Sequence, residues 1–267
     1  MAGKDPKFPV IAVLVSFPKS GRTWLCVMLN ELGLPFDYRH DGSTHGAAHR
    51  ISEIRVCKKP IFHNYPVVFL TRDPRDTVVS GYFEVTRREK IPYSGTISDF
   101  IRDPRHGIVK IILFNKAWLK AGAKLQHFLP ITYEQLSADP ASALRAIVEF
   151  VGGRADDDAI SKVVGENTFD KMRHREANRE YKQYGTKLAP THQGDPESYK
   201  VRRGKIGGYL DYLSPDDVAY CNAMLERYGY WRPNSSLVES LQSTKLLMQR
   251  LVAAGMRRIT RSHGVTS

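Results

Sequence analysis

The hydrophobic positions along the chain alternate between two rhythms. Residues 10–17 (VIAVLVSF) form an unbroken apolar run of strand length, the pattern of a strand covered on both faces in a parallel sheet. From residue 23 the period changes. Trp24, Leu25, Met28, Leu29 and Leu32 recur at helical spacing, and Gly33 supplies a stop. Residues 36–40, 66–70 and 131–133 read as further strands, and helices are expected after Pro74, over 108–119 and over 141–151. Strands alternating with helices build right-handed βαβ units. The expected class is therefore a three-layer α/β/α fold, with a central parallel sheet and a P-loop-like strand-loop-helix at its start.

Two stretches break the alternation. Residues 171–205 are polar, basic and punctuated by glycine, and read as a long ligand-covering loop or, equally, a solvated excursion. Residues 236–258 carry Leu237, Leu241, Met248, Leu251 and Val252 beside Lys245, Arg250, Arg257 and Arg258. They read as an amphipathic helix docked on its own domain, with peripheral membrane contact as the minority alternative. The expected plan is one domain over 1–235, followed by this helix and a tail over 236–267.

A chain of 267 residues can bury a sizeable core in one such domain. Its apolar runs are too short to cross a bilayer, and no secretory signal is expected from MAGKDPKFPV. Cys26, Cys57 and Cys221 match neither a disulfide framework nor a zinc site, so reduced thiols and a cytoplasmic location are expected. The net charge of +12 implies an anionic ligand or surface. Arginines recur at 22, 72, 75, 87, 88, 202 and 203, close to loop signals, which favours a pocket for a highly charged ligand over a basic arm.

Three of those loops carry candidate chemistry. In Pro18-Lys19-Ser20-Gly21-Arg22-Thr23, a strand gives way to a helix whose free backbone N–H groups favour an anion. Gly21 permits close approach, Ser20 and Thr23 add hydroxyls, and Lys19 adds a mobile charge. The lysine precedes the glycine, so this is not the Walker spacing. In the second loop Arg72 follows the third strand and Ser80 lies eight residues on, both facing the carboxyl edge of the sheet. Local ion pairs within Arg72-Asp73 and Arg75-Asp76 are the plainer alternative there. The third element is Val201-Arg202-Arg203-Gly204-Lys205, which could close over the same anion.

In this order the elements resemble the sulfotransferases that use 3′-phosphoadenosine 5′-phosphosulfate (PAPS). FPKSGRTW resembles that family's 5′-phosphosulfate loop, RDPRDTVVSGYF its 3′-phosphate motif and VRRGKIGGYLDY its C-terminal Arg-Lys-Gly stretch. LPITYEQLSADP and ENTFDKM resemble its Tyr-Glu-Asp and adenine-side segments. The resemblance implies that Lys19, Ser20, Gly21, Arg22 and Thr23 hold the phosphosulfate while Trp24 packs on adenine. Arg72, Ser80, Arg202, Arg203 and Gly204 would take the 3′-phosphate, and Tyr133, Asn167 and Phe169 would line the base. Trp118 has no such neighbours and is expected in the core. Arg22 replaces a common family threonine, Gly208-Tyr209 the usual Asp-Trp, and Arg202-Arg203 a frequent Arg-Lys pair.

Such a transfer passes through a loose in-line transition state, so catalysis rests on positioning and electrostatics. Lys19 is the candidate stabiliser of the leaving oxygen, and no metal is expected. Histidine is the natural proton acceptor near neutral pH. His40, His45, His49 and His63 lie between the first two loops, and the resemblance points to His40, with Asp41 as orienting group or helix cap. The product would be 3′,5′-adenosine bisphosphate (PAP). The loops at 41–63, 84–106 and 171–200 suggest a polar or anionic acceptor, such as a sugar or lipid headgroup, over a flat phenol; no specific nucleic acid is expected. Two alternatives stand beside this reading. A P-loop-like nucleotide kinase would need a carboxylate such as Asp73 for Mg²⁺, and a non-catalytic polyanion binder is suggested by the net charge; Tyr181, Lys182 and Tyr184 fit either that binder or a donor-covering lid.

Overall fold

Strand β1, Ala12–Ser16, is buried at every position, as its uninterrupted apolar run requires. The structure is a computed structural model and describes residues 10–40, 60–89, 92–181, 188–192 and 194–230. Around β1 lie β2 (Phe36–Arg39), β3 (Val67–Thr71) and β4 (Phe128–Thr132), all parallel, in the order β2-β1-β3-β4. Helices cover both faces: α1 (Arg22–Glu31), α2 (Ile61–Asn64), α3 (Pro74–Arg87), α4 (Ile97–Arg102), α5 (Ile108–Gly122), α6 (Tyr133–Ala138), α7 (Pro140–Phe150), α8 (Asp157–Glu166) and α9 (Phe169–Ala177). A further helix, α10, spans Pro215–Arg227. The α/β class with a central parallel sheet is as expected.

Local chemistry explains where the helices start. Asp73 caps α3 by accepting from the Arg75 N–H at 2.8 Å, and Pro74 occupies the first turn. Thr132 and Gln135 form a capping box that opens α6. That box corrects the fourth strand: it runs over Phe128–Thr132, and Tyr133 is the first residue of α6 and not the end of a strand. The chain between 171 and 205 is also corrected, because α9 occupies its first residues. The buried positions of this helix are Met172 and Glu176, so its inward face hides a carboxylate and shows no apolar period. The core sits on the sheet beneath α5, where Trp118 stacks on Phe69 at 5.7 Å and meets Phe62 edge-on at 5.0 Å. Trp118 is fully buried there, as expected.

The chain divides into two compact units, Met1–Met224 and Leu225–Ser267. In the second, the described residues finish α10 and turn at Gly229 (φ 57), with the Tyr230 N–H donating to Leu225 O at 2.9 Å. The expected boundary at 235 and the amphipathic segment beyond it lie outside the described residues, as does Cys57. No helix among the described residues is long and apolar enough to cross a membrane.

Candidate active site

All four parallel strands point their carboxyl ends at one edge of the sheet, and each delivers a side chain there: Lys19 after β1, His40 after β2, Arg72 after β3 and Tyr133 after β4. The chain leaves β1 in opposite directions, to β2 on one side and β3 on the other, which opens a crevice at that edge. A cleft of about 490 Å³ lies there. Lys19, Gly21, Arg22, Thr23 and Trp24 of the first loop line it, with His40, and so do Arg72 and Ser80 of the second. Tyr133, Phe169, Arg202, Arg203 and Gly204 complete the wall from later in the chain.

Two expected residues are not in that wall. Ser20 is buried beneath its loop. Asn167 is fully buried, and its amide donates to Glu31 at 2.5 Å and to Val163 O at 2.9 Å. Its backbone carbonyl accepts from the Trp24 indole at 2.7 Å, so Asn167 supports the aromatic wall from behind. His63 is exposed on α2 and does not line the cleft, while Asp41, His45, His49, Lys182 and Tyr184 lie outside the described residues.

The first loop is tightly bent. Gly21 has φ 88, and Lys19 has φ 72, a left-handed conformation that costs a non-glycine residue about 1–2 kcal/mol. Tyr133 locks the three elements to one another. Its ring faces Gly21, where a Cβ would lie 2.3 Å from Cδ2, and the Arg72 guanidinium sits 4.4 Å above the ring centroid. Its hydroxyl donates to Gly204 O at 2.9 Å, and Trp24 meets it edge-on at 6.1 Å. Phe169 crowds Gly204, whose φ of 62 and missing side chain allow the approach.

The third element is strapped into place by groups the sequence did not single out. Asp76 accepts from the backbone N–H groups of Gly207 and Tyr209, both at 2.9 Å, while its carboxylate lies 3.7 Å from Arg72. Glu176 accepts from Lys200 N at 2.5 Å and Val201 N at 2.7 Å. Arg173 donates to Val201 O at 3.0 Å and Arg202 O at 2.5 Å. One signal was available in part: Arg72, Asp76, Ser80 and Glu84 recur every four residues, and all four line the cleft.

Electrostatics differentiate the titratable groups. Burial and the neighbouring Lys200 charge pull Lys19 down to about 8, against the opposing pull of Glu84. Burial favours a neutral Glu84, yet the ammonium groups of Lys19 and Lys200 outweigh it and hold the carboxyl well below its usual range. Burial, then the Arg22 charge, lowers His40 to about 4. Its Nδ1 lies 3.0 Å from Ser16 O, which puts the proton of the neutral ring on Nδ1 and makes Nε2 the basic nitrogen. Burial pushes the thiols of Cys26 and Cys221 up to about 12, so neither is a nucleophile. Asp73 pairs with Arg75 at 2.7 Å besides capping α3, which binds the kinase alternative's carboxylate to a cation.

The cleft suits a nucleotide polyanion. Arg22 Nη1, Arg72 Nε and Arg202 Nε are buried donors without a protein partner among the described residues, and so is the Ser20 hydroxyl. Trp24, Tyr133 and Phe169 give an aromatic wall beside them.

An α/β fold with a cationic, aromatic-walled cleft at the carboxyl edge of its parallel sheet is the class these features define. The description "Sulfotransferase domain" matches residues 52–228, and the chain belongs to that family. Rat sulfotransferase 2B1 is 28% identical over 188 residues, covering 60% of this chain and 55% of that protein. Its human counterpart is also 28% identical, over 193 residues, so the chain spans about half the length of these relatives. Bovine sulfotransferase 1E1 is 23% identical over 234 residues, 76% of this chain and 77% of that one. Among solved structures, mouse sulfotransferase SULT7A1 complexed with PAP shares the fold with TM-score 0.62 at 18% identity, covering 87% of each chain. Retinol dehydratase in complex with androsterone and inactive cofactor PAP gives 0.63 at 14% identity, covering 85% of this chain and 81% of that one.

Proposed function

We propose that this protein transfers a sulfuryl group from PAPS to a hydroxyl or amine of a small acceptor, by in-line displacement without a metal ion. The observation that carries the reading is the convergence of Lys19, Arg72 and Arg203, from three distant segments, on one cleft with an aromatic wall. Family membership supports the reaction class, and the PAP complexes of the structural relatives support the donor. The kinase and polyanion-binder alternatives are not favoured.

The donor supplies an activated sulfur–oxygen bond whose leaving group is a phosphate. The residues of this chain position it and manage charge and proton. Lys19 and the N–H groups at the start of α1 stabilise charge building on the leaving oxygen, with Arg22 beside them. His40 Nε2 takes the acceptor proton as the acceptor oxygen bonds to sulfur and the bond to the leaving oxygen breaks. Arg72, Ser80, Arg202, Arg203 and the Gly204 backbone hold the 3′-phosphate, and Trp24, Tyr133 and Phe169 take the base. The mixed polar and charged wall suits a sugar or headgroup hydroxyl, and a cytoplasmic setting belongs to the same reading.

Calorimetric titration with PAP, 5′-AMP and ATP, with and without Mg²⁺, tests this. Metal-independent binding with strong preference for PAP, lost on Arg72→Ala or Arg203→Ala, is expected. Binding that tracks ATP and magnesium would move the assignment to a kinase.

A further inference from the structure

A carboxylate stands beside Lys19 in the cationic cleft. Glu84 lies on α3, one turn beyond Ser80, and lines the cleft together with Lys19 and Lys200. Its Oε2 accepts from Lys19 Nζ at 2.7 Å and its Oε1 from Lys200 Nζ. Arg88, a turn further on, approaches the same carboxylate at 3.4 Å. Lys200 is itself fixed from the opposite side, because Glu176 of α9 holds its backbone N–H. The arrangement joins the first loop, α3, α9 and the third basic element through one carboxylate. It is mostly buried: the Lys19 and Glu84 side chains are 9% and 14% exposed. At that depth a bridging contact holds two flexible lysines in one geometry and is weakly screened by salt.

Resting on the sulfuryl-transfer reading, we propose that Glu84 is a positioning residue for that reaction, bridging Lys19 and Lys200 so that both ammonium groups are held in place along the cleft. The charged groups around Lys19 all bear on this. Glu84 favours its ammonium form, while Lys200 and Arg88 disfavour it, as does burial. His40 feels Arg22, Lys200 and Glu84, so the same carboxylate reaches towards the proton-accepting side of the cleft. Glu84 is therefore the one group in the set that keeps Lys19 protonated against burial and like charge. Without it, burial and the like charges of Lys200 and Arg88 would act on Lys19 unopposed, and the ammonium that offsets charge on a leaving oxygen would be lost at lower pH.

The test is the pH dependence of amine labelling at Lys19, read by peptide mass spectrometry on the full chain for wild type, E84Q and E84D. Wild-type Lys19 should reach half-labelling near pH 8. In E84Q the midpoint should move down, and a displacement of about one unit would raise the neutral, labelled fraction at pH 7 about fivefold. E84D keeps the charge and should restore the wild-type midpoint in large part, which loss of shape alone would not do. In parallel, transfer of radiolabelled sulfuryl from PAPS to water or to a panel of sugars should fall in E84Q with its alkaline limb shifted the same way. An unmoved Lys19 midpoint in E84Q overturns the proposal whatever ligand the protein binds. A midpoint shift in protein whose Lys19 is not protected by PAP overturns it through the donor assignment instead, so the two failures are distinct.

Discussion

Replacing Gly21 by alanine probes the contact on which the rest of the cleft is built. The backbone there has φ 88, so alanine incurs about 1–2 kcal/mol for the left-handed conformation alone. The new methyl would also lie 2.3 Å from Tyr133 Cδ2 and 2.8 Å from Cε2, about 1 Å inside the optimum for carbon pairs. The ring cannot yield easily, since Gly204 O holds its hydroxyl and Arg72 covers its face. Overpacking of this kind costs about 1–3 kcal/mol, so the total is about 2–5 kcal/mol. Urea denaturation followed by tryptophan fluorescence measures it, and PAP affinity should fall with it. The decisive comparison is a double-mutant cycle with Tyr133→Ala. Once the ring is gone only the backbone cost remains, and a coupling of about 1–3 kcal/mol is expected between the two sites. Equal costs of Gly21→Ala in both backgrounds would refute the argument that Tyr133 braces the loop.

Asp76→Asn should destabilise the protein by about 2–3 kcal/mol in the same denaturation assay, because two backbone N–H donors at 2.9 Å would face an amide with a single acceptor oxygen. Proteolysis at Lys205 should accelerate with it. The pH profile follows from Lys19 and His40. Lys19 is lowered from 10.5 to about 8, so its charged form, and with it PAP affinity, is present below pH 8 and lost above it; calorimetry at pH 9 should detect proton uptake on binding. His40 is lowered from 6.5 to about 4, so it remains an unprotonated base down to roughly pH 5, and an acid limb of the transfer rate near 6.5 would exclude it.

Much of this arrangement could be read from the chain. The strands announced themselves because a buried parallel strand needs nothing but apolar residues, and the loops because glycine, hydroxyl and cation follow a strand without interruption. Tyr133 was assigned to a strand because its apolar ring continues Ile131, whereas the Thr132–Gln135 capping box decides the boundary. α9 was hidden for a different reason: it buries Glu176, a carboxylate satisfied by the backbone of residues 24 and 25 positions later. Asn167 was placed on the base by resemblance, but its side chain is held by Glu31, 136 residues away. Polar partners so distant leave no local pattern: Arg173 and Glu176 were missed on that account, Glu84 left only its four-residue recurrence with Arg72, and Asp76 was read as no more than a local ion-pair partner.

The charge of the chain gains a different meaning once those acids are in view. A net charge of +12 suggests a surface that any polyanion would satisfy, yet four cations of the cleft are already matched to carboxylates of the chain. Lys19 meets Glu84, Arg72 meets Asp76, Arg202 meets Glu197 and Arg203 meets Asp211. An incoming anion therefore exchanges partners with resident acids, and its gain is the difference between two ion pairs in a partly dry cleft. Total charge contributes little to that difference, and fit to the orientation of the guanidinium and ammonium groups contributes most. On the proposed reading, the paired acids favour a ligand whose anions reach several of these cations at once over one that is merely more negative.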